Sequence, residues 1–353
     1  MSERLKSIYD NIGLPRIIIV GFFLTILAAA APLGLNVSSL MGDAIRRWAM
    51  YGILVLAMVP AVQSGIGLNF GISLGIVAGL LGATLAIEIG IASPWLSILF
   101  AMLVGLAIGS VFGIGYGMLL NRVKGSEMTV STYVGFSVIA FMNMIWLSLP
   151  YKSGELIWPL GGQGMRTTIS LESSFGGVFN NFLAFTIGDP VTGIPIPTGL
   201  ILFFLLICLL VAVFMKSKLG MAMSAAGSNP AFTKSSGINV DKMRILGTAV
   251  STALASIGII TYAQSYGFLQ LYNAPLMMGF HSVAAVLIGG ASINKAKISH
   301  VIIGAFLFQG ILAVALPVAN KVIPEGNLSD VIRIIISNGI ILYALSKTKG
   351  GSK

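Results

Sequence analysis

Apolar residues run along this chain in long blocks that short polar stretches separate. The blocks approach about 20 residues, the length that an α-helix needs to cross a bilayer. We therefore predict an all-α polytopic membrane protein with about ten transmembrane helices, built as a single domain over residues 1–353. The predicted spans are 16–35, 48–65, 68–90, 94–120, 128–149, 198–215, 244–263, 279–294, 299–319 and 331–346.

Two stretches near the start of the chain qualify this pattern. The run from Ile17 to Leu35 follows basic residues, as a signal peptide does, but it has full span length. We therefore favour a retained first helix over a cleaved signal. The stretch 36–47, NVSSLMGDAIRR, is short, amphipathic and predicted to lie outside, so it could lie in the membrane interface.

Glycines follow a helical repeat in the fourth predicted span. Gly105, Gly109, Gly113 and Gly117 recur every four residues, which places them on one face of a helix. Small residues at this spacing let two helices approach closely inside a membrane. The pattern predicts tight helix packing rather than a ligand site.

Composition and charge agree with this class and orient the chain. Hydrophobic residues make up 56% of the sequence and charged residues 9%, whereas soluble domains are about 25% charged. If the N-terminus lies inside, the inner segments hold 15 of the 21 basic residues and 4 of the 11 acidic ones. Because inner loops collect Lys and Arg, we predict that both termini and the loop 216–243 are cytoplasmic. The long loop 150–197 is then extracytoplasmic, and the net charge of +10 reflects topology rather than nucleic-acid binding.

Several kinds of chemistry have no signature in the chain. There is no GxxxxGK[ST] phosphate loop, no HExxH and no GxSxG. Cys208 is the single cysteine and there are two histidines, so we expect neither a disulfide framework nor a metal site. Carboxylates fall at span ends or in loops, which disfavours a carrier driven by protons or sodium. An ion-coupled secondary carrier stays an alternative, because sodium can also be held by backbone and hydroxyl oxygens.

A glycine-rich break with polar side chains is the best candidate for a solute path. The segment VQSGIGLNFGISLG, residues 62–75, interrupts an apolar region. Such breaks are tolerated at membrane depth where they face protein or a water-filled cavity. Hydrogen bonds between helices would explain the same residues equally simply. The predicted translocation residues are Gln63, Ser64, Asn69, Phe70, Ser73 and Asn143.

The most polar cluster, GSNPAFTKSSGINV at 227–240, encodes a short helix. Asn229 is a preferred N-cap and Pro230 suits the first helical position. Gly237 is placed to end the helix in the left-handed conformation. The helix could be a connector between spans or a docking element for a cytoplasmic partner. The predicted docking residues are Asn229, Pro230, Ala231, Phe232, Thr233, Lys234, Ser235, Ser236 and Gly237.

Three segments carry a resemblance to a known family. GSNPAFTKSSGINVDKMRILGTAV resembles the cytoplasmic coupling region of ABC importer permeases of the ribose/simple-sugar type, to which the branched-chain amino acid permeases are a sister group. GFHSVAAVLIGGASINKAKISHVIIGA, residues 279–305, is similar to a later region of that family. GIGLNFGISLG matches a family segment less well, because the usual Asp is Gly67 here and Asn69 and Phe70 replace small polar residues.

The resemblance implies a transport assembly in a bacterial cytoplasmic membrane. Two permease subunits, identical or paralogous, would form the channel in the lipid bilayer. Separate ATPase subunits would bind ATP and magnesium and dock on the helix after Asn229, so this chain would be neither an enzyme nor a cofactor protein. An extracytoplasmic binding protein would deliver the solute, and no nucleic acid is implied.

The solute implied by the resemblance is neutral and polar. A simple sugar such as a pentose or hexose is the first expectation. Nucleosides come second, because Phe70, Tyr133 or Tyr262 could stack on a base.

Overall fold

The computed structural model describes residues 14–158, 164–189, 193–272 and 274–322, with the single positions or pairs 331, 334–335, 338–339 and 342. Most of these residues are helical. The helices are α1 Leu14–Ala30, α2 Val37–Leu56, α3 Met58–Gln63, α4 Ser73–Ile89, α5 Pro94–Arg122, α6 Glu127–Ser148, α7 Val178–Asn181, α8 Thr198–Lys216, α9 Lys218–Ser228, α10 Pro230–Ser235, α11 Val240–Tyr266, α12 Ala274–Ile288 and α13 Ile298–Val322. A 3₁₀ turn, Phe70–Ile72, leads into α4, and the strands are β1 Thr168–Ser170, β2 Phe185–Ile187, β3 Ile194–Ile196 and β4 Phe268–Gln270.

The described residues contain seven helical stretches long and apolar enough to cross a membrane. Two shorter apolar helices, Arg16–Ala30 and Pro275–Ile288, correspond to the first and eighth predicted spans. The tenth predicted span, 331–346, and both chain ends lie largely outside the described residues. The multi-pass helical architecture is therefore confirmed, whereas the number ten and the position of the termini stay predictions. The seven stretches are Val37–Gln63, Phe70–Ile89, Pro94–Arg122, Glu127–Ser148, Thr198–Lys216, Val240–Tyr266 and Ile298–Val322.

The stretch 36–47 is part of α2 rather than an element of its own, and its position in the membrane interface stays a prediction. Asn36 caps α2, its side chain accepting a hydrogen bond from the Ser39 N–H at 3.1 Å, and the helix continues through residue 47 without interruption. An Asn N-cap fixes where a helix begins, and nothing between residues 37 and 47 breaks it. The polar face of this stretch therefore belongs to the first turns of the second span.

Burial separates inner helices from outer ones. In their most apolar windows, the stretches 70–89, 37–63 and 240–266 are 83%, 72% and 72% buried within the chain. The corresponding share is only 33% for 94–122 and 28% for 127–148. Helices that are little buried within the chain turn a face to lipid or to another subunit. The more buried helices α2, α4 and α11 therefore form the centre of the fold.

The glycine stripe of α5 packs against α11, as the sequence predicts. A Cβ added at Gly113 would lie 2.6 Å from the Ala249 Cα, and one at Gly117 would lie 2.9 Å from the Ile245 Cα. These contacts are made with backbone, so larger side chains would force the two helices apart. Close approach of small residues is how helices associate without a hydrophobic driving force.

The loop 150–197 is folded onto the end of α11. Strand β1 pairs antiparallel with β4, which follows α11 directly. The Phe179 N–H donates to the Gln264 Oε1 at 3.1 Å, and the Asn180 side-chain amide donates to the Ser265 carbonyl at 3.0 Å. Strands β2 and β3 form a hairpin. The described parts of this loop are thus ordered by the last turns of a central helix.

Candidate docking and translocation sites

The start of α10 is capped as its sequence predicts. The Asn229 Oδ1 accepts a hydrogen bond from the Phe232 N–H at 3.0 Å, and Pro230 occupies the first helical position. The Thr233 hydroxyl donates to the Asn229 carbonyl at 2.9 Å. These bonds satisfy groups that a helix start otherwise leaves unpaired, so this helix of only six residues has a defined first turn.

The end of α10 closes in a Schellman motif. Gly237 has a φ of +80°, in the left-handed region that glycine enters without strain. The Gly237 N–H donates to the Lys234 carbonyl at 3.0 Å, and the Ile238 N–H donates to the Thr233 carbonyl at 3.2 Å. This pair of bonds defines the motif and prevents the short helix from fraying.

The side chains of α10 point almost entirely to solvent. Within the fully described segment 229–237, Thr233 is the buried residue. Phe232 is 67% exposed, although it is the largest apolar side chain of the segment. A surface groove of about 550 Å³ lies beside the helix, and Lys124, Lys234 and Asp241 are among the residues that line it. An exposed aromatic side chain on a rigid helix next to a charged groove has the properties of a contact surface for a protein.

Ion pairs attach the loop 216–243 to neighbouring spans. The Arg244 guanidinium binds the Glu127 carboxylate, and these side chains are only 11% and 14% exposed. Lys124 pairs with Asp241 at 2.5 Å in a more exposed position. The Asn121 side-chain amide also donates to the Asp241 carbonyl at 2.9 Å. The first turn of α11 is therefore fixed to the end of α5 and the beginning of α6.

Gln63 and Ser64, two predicted path residues, lie at this same junction. The Gln63 Nε2 donates to the Ala296 carbonyl at 2.6 Å, while its Oε1 accepts from the Ser224 hydroxyl at 2.7 Å. Ser64 is fully buried, and a Cβ added at Gly247 would contact its side chain. The Gln63 amide thus connects α9, the end of α3 and the turn before α13.

The glycine-rich break forms a turn against the loop 216–243. Gly65 and Gly67 have φ values of +81° and +88°, which explains glycine at both positions. A Cβ added at Gly65 would lie 2.9 Å from the Gly227 Cα. The break thus brings two backbones together just before α10.

The remaining predicted path residues are spread over several helices. Asn69 is fully buried, donates to the Ser251 hydroxyl and accepts from the Tyr116 hydroxyl, both at 3.0 Å. The Phe70 ring lies 5.5 Å from that of Phe280. Asn69 therefore acts as a cross-link between helices in this structure.

Ser73 and Asn143 complete the predicted set. Ser73 donates to the Pro275 carbonyl at 3.3 Å, and together with Phe70 it lines a cavity of only about 10 Å³. Asn143 lies on α6, and its Oδ1 is enclosed without a hydrogen-bond partner among the described residues. A cavity this small does not admit a solute, so the Phe70 region is closed in this conformation.

A larger chamber opens between α2, α12 and α13. Its volume is about 500 Å³, a size typical of small-molecule sites. None of the residues that line this chamber is among the predicted translocation residues, although Gln309 is a polar residue that interrupts an apolar span. Its polar lining residues are Asp43, Arg47, Tyr51, His281, Gln309 and Asn338.

Comparison with known proteins gives one family and three curated relatives. The sequence profile of the family described as "Branched-chain amino acid transport system / permease component" matches residues 40–340. The nucleoside ABC transporter permease protein NupB of Lactococcus lactis subsp. cremoris (strain MG1363) is 33% identical over 97 residues, which are 27% of this chain and 26% of that protein. No solved structure matches the chain.

The other two relatives carry amino-acid names. The tyrosine transport system permease protein of Clostridioides difficile (strain R20291) is 28% identical over 170 residues, 46% of this chain and 56% of that protein. The probable branched-chain amino acid transport permease protein LivH of Methanocaldococcus jannaschii is 27% identical over 117 residues, 29% of this chain and 37% of that protein. The chain thus matches between 26% and 56% of its relatives' lengths.

The family match covers most of the chain and includes both the loop 216–243 and the helices around the chamber. It agrees with the resemblance that the GSNPAFTKSSGINV region carries in the sequence. This chain belongs to the family of branched-chain amino acid transport system permease components.

Proposed function

We propose that this chain is the membrane subunit of an ATP-binding cassette importer. Separate ATPase subunits dock on α10, and a second permease subunit completes the channel. The observation that carries the proposal is the geometry of α10, which is capped at both ends, exposed, and fixed to several spans. The three relatives are named as transport permeases, which supports the same reading.

Docking at α10 would move the spans through three described contacts. The Gly65–Gly227 backbone contact and the Gln63 amide pass displacement of α9 to α3 and to the turn at Ala296. The Arg244–Glu127 ion pair passes displacement of α11 to α6. Because α10 cannot fray at either end, movement of its exposed face becomes movement of these helices rather than local unfolding.

The solute is a small polar molecule, for which the sequence favours a simple sugar and then a nucleoside. The printed names of the relatives add tyrosine and branched-chain amino acids as candidates. An extracytoplasmic binding protein would deliver it to the face formed by the loop 150–197. Uptake into proteoliposomes with D-ribose, adenosine and L-leucine as separate substrates discriminates these classes.

Co-purification with the ATPase tests the docking role directly. We expect Phe232→Asp to abolish co-purification of the partner ATPase, because it puts a charge on the apolar contact. Phe185→Asp is the matched control, since Phe185 is a similarly exposed aromatic residue on the β2–β3 hairpin. If the Phe232→Asp chain co-purified with the ATPase as before, the proposal that α10 is the docking site would be refuted.

The energy source separates the importer from an ion-coupled carrier. The importer requires ATP inside proteoliposomes that contain the ATPase and the binding protein. Uptake driven by a sodium or proton gradient without ATP would instead support the carrier.

A further inference from the structure

The chamber between α2, α12 and α13 spans roughly half of the membrane. At 1.5 Å per residue, Arg47 lies about 24 Å from Gln63 along the helical stretch 37–63 that α2 and α3 form. Gln309 lies about 16 Å along α13 from Ile298. Since the hydrocarbon layer is about 30 Å thick, Arg47 falls near the boundary opposite the loop 216–243, and Gln309 falls near the middle.

Arg47 brings to the chamber wall a positive charge that no carboxylate among the described residues pairs. Its Nε is enclosed and has no hydrogen-bond partner among the described residues. None of the three ion pairs in the described part of the chain involves Arg47. Asp43, which also lines the chamber, is paired with Arg46 at 2.7 Å. A cationic side chain that lines a cleft without a paired carboxylate raises the local concentration of anions, so the chamber attracts anions.

The inner end of the chamber offers hydrogen bonding without charge. Gln309 is only 2% exposed and lines the chamber. A side-chain amide can both donate and accept hydrogen bonds, so it can bind a polar group of a solute in the chamber. Tyr51 supplies an aromatic wall, its ring 4.9 Å from that of Tyr262.

We propose that this chamber binds a solute through its carboxylate, with Arg47 holding the carboxylate and Gln309 forming hydrogen bonds to the solute's inner end. The guanidinium matches a carboxylate in charge and in the geometry of its donors. Amino acids and sugar acids both carry this group, whereas the neutral sugars and nucleosides that the sequence favours do not. The inference rests on the transport function and narrows its solute.

Cysteine labelling tests the charge of the chamber without knowledge of the solute. Cys208 is the only cysteine, so Cys208→Ala gives a background in which Gln309→Cys is the single target. The full chain in proteoliposomes is treated with the anionic reagent MTS-ethylsulfonate or the cationic reagent MTS-ethyltrimethylammonium. The ratio of their rates is normalised to the ratio for 2-mercaptoethanol in solution.

We expect the normalised ratio to favour the anionic reagent by about tenfold, at the lower end of electrostatic focusing in clefts. Arg47→Gln should bring it close to one, whereas Arg47→Lys should preserve it. High salt should lower the ratio in the chain that retains Arg47. This test does not depend on whether an Arg47 variant folds. A ratio near one in that chain at low salt would overturn the proposal.

Protection by added solutes identifies the source of the carboxylate. L-leucine or L-tyrosine should slow labelling of Gln309→Cys if the solute is an amino acid, and D-gluconate should do so if it is a sugar acid. Protection by D-ribose alone would overturn the carboxylate proposal. Labelling requires no ATPase, so failure of the chamber proposal and failure of docking at α10 are read from different experiments.

Discussion

The left-handed residue that ends α10 offers the sharpest test of its rigidity. A Cβ added at Gly237 would meet no atom within 4 Å, so the space around it tolerates any side chain. Replacement by valine therefore acts through the backbone alone. A residue with a Cβ costs about 1–2 kcal/mol in the left-handed region, and a β-branched residue resists positive φ further.

This strain should appear as faster opening of the helix end. The bonds at stake join Gly237 to Lys234 and Ile238 to Thr233. Because 1.4 kcal/mol corresponds to a factor of ten in an equilibrium constant, we expect amide exchange at these positions to accelerate about 5- to 30-fold. Hydrogen–deuterium exchange with mass spectrometry, on peptides that cover residues 229–239 of the purified protein, measures this directly.

Two further substitutions make the result specific. Gly237→Asn should accelerate exchange less than Gly237→Val, because asparagine tolerates the left-handed region better. Gly90→Val alters another left-handed cap, with a φ of +69° at the end of α4, and should leave residues 229–239 unchanged. Exchange in Gly237→Val equal to that of the unchanged chain would refute the argument that the Schellman motif keeps α10 from fraying.

Three other predictions concern the packing of the spans. Gly113→Leu should lower the thermal unfolding midpoint in detergent, with a cost of about 1–3 kcal/mol or more from overpacking, whereas Gly115→Leu should not, because no atom lies within 4 Å of a Cβ there. Glu127→Gln should lower the free energy of unfolding by about 3–5 kcal/mol, because it leaves Arg244 enclosed without its counter-charge. Adding Arg244→Met should restore part of the lost unfolding midpoint. If the effects of the two substitutions simply added, this expectation would be contradicted. Asn69→Leu should lower the unfolding midpoint, because leaving its two hydroxyl partners unpaired costs about 1–3 kcal/mol. An unchanged midpoint together with lost uptake would instead indicate that Asn69 lies on the solute path.

Local signals in the sequence predicted α10 and the glycine packing well. Asn229, Pro230 and Gly237 lie within nine consecutive residues, so their cap geometry depends little on the rest of the chain. The α5 stripe is similar, because a four-residue repeat fixes a helix face before the partner helix is known. The identity of that partner, α11, required the structure.

The roles of the polar residues in the break could not be read in the same way. Gln63 bonds to residues 161 and 233 positions away, and Asn69 to one 182 positions away. Such partners have no local signature, so a path and a cross-link look alike in sequence. The predicted second span begins at residue 48 and leaves Arg47 in the amphipathic stretch before it, whereas the Asn36 cap places Arg47 on a helix that lines the chamber.

The contact between α5 and α11 also has a mechanical consequence. The α5 side of this contact is glycine, so the α11 side chains that meet it, among them Thr248, Thr252 and Ser256, can shift along α5 without passing over side chains there. Asn121 and Lys124 hold the same end of this pair through Asp241. Motion is then restricted to a pivot at that end, and Gly105 lies about 24 Å from it along α5. A swing of roughly 5° about this end would move the far ends by about 2 Å, so a small rotation beside Asp241 is enlarged at the opposite end of the helix pair.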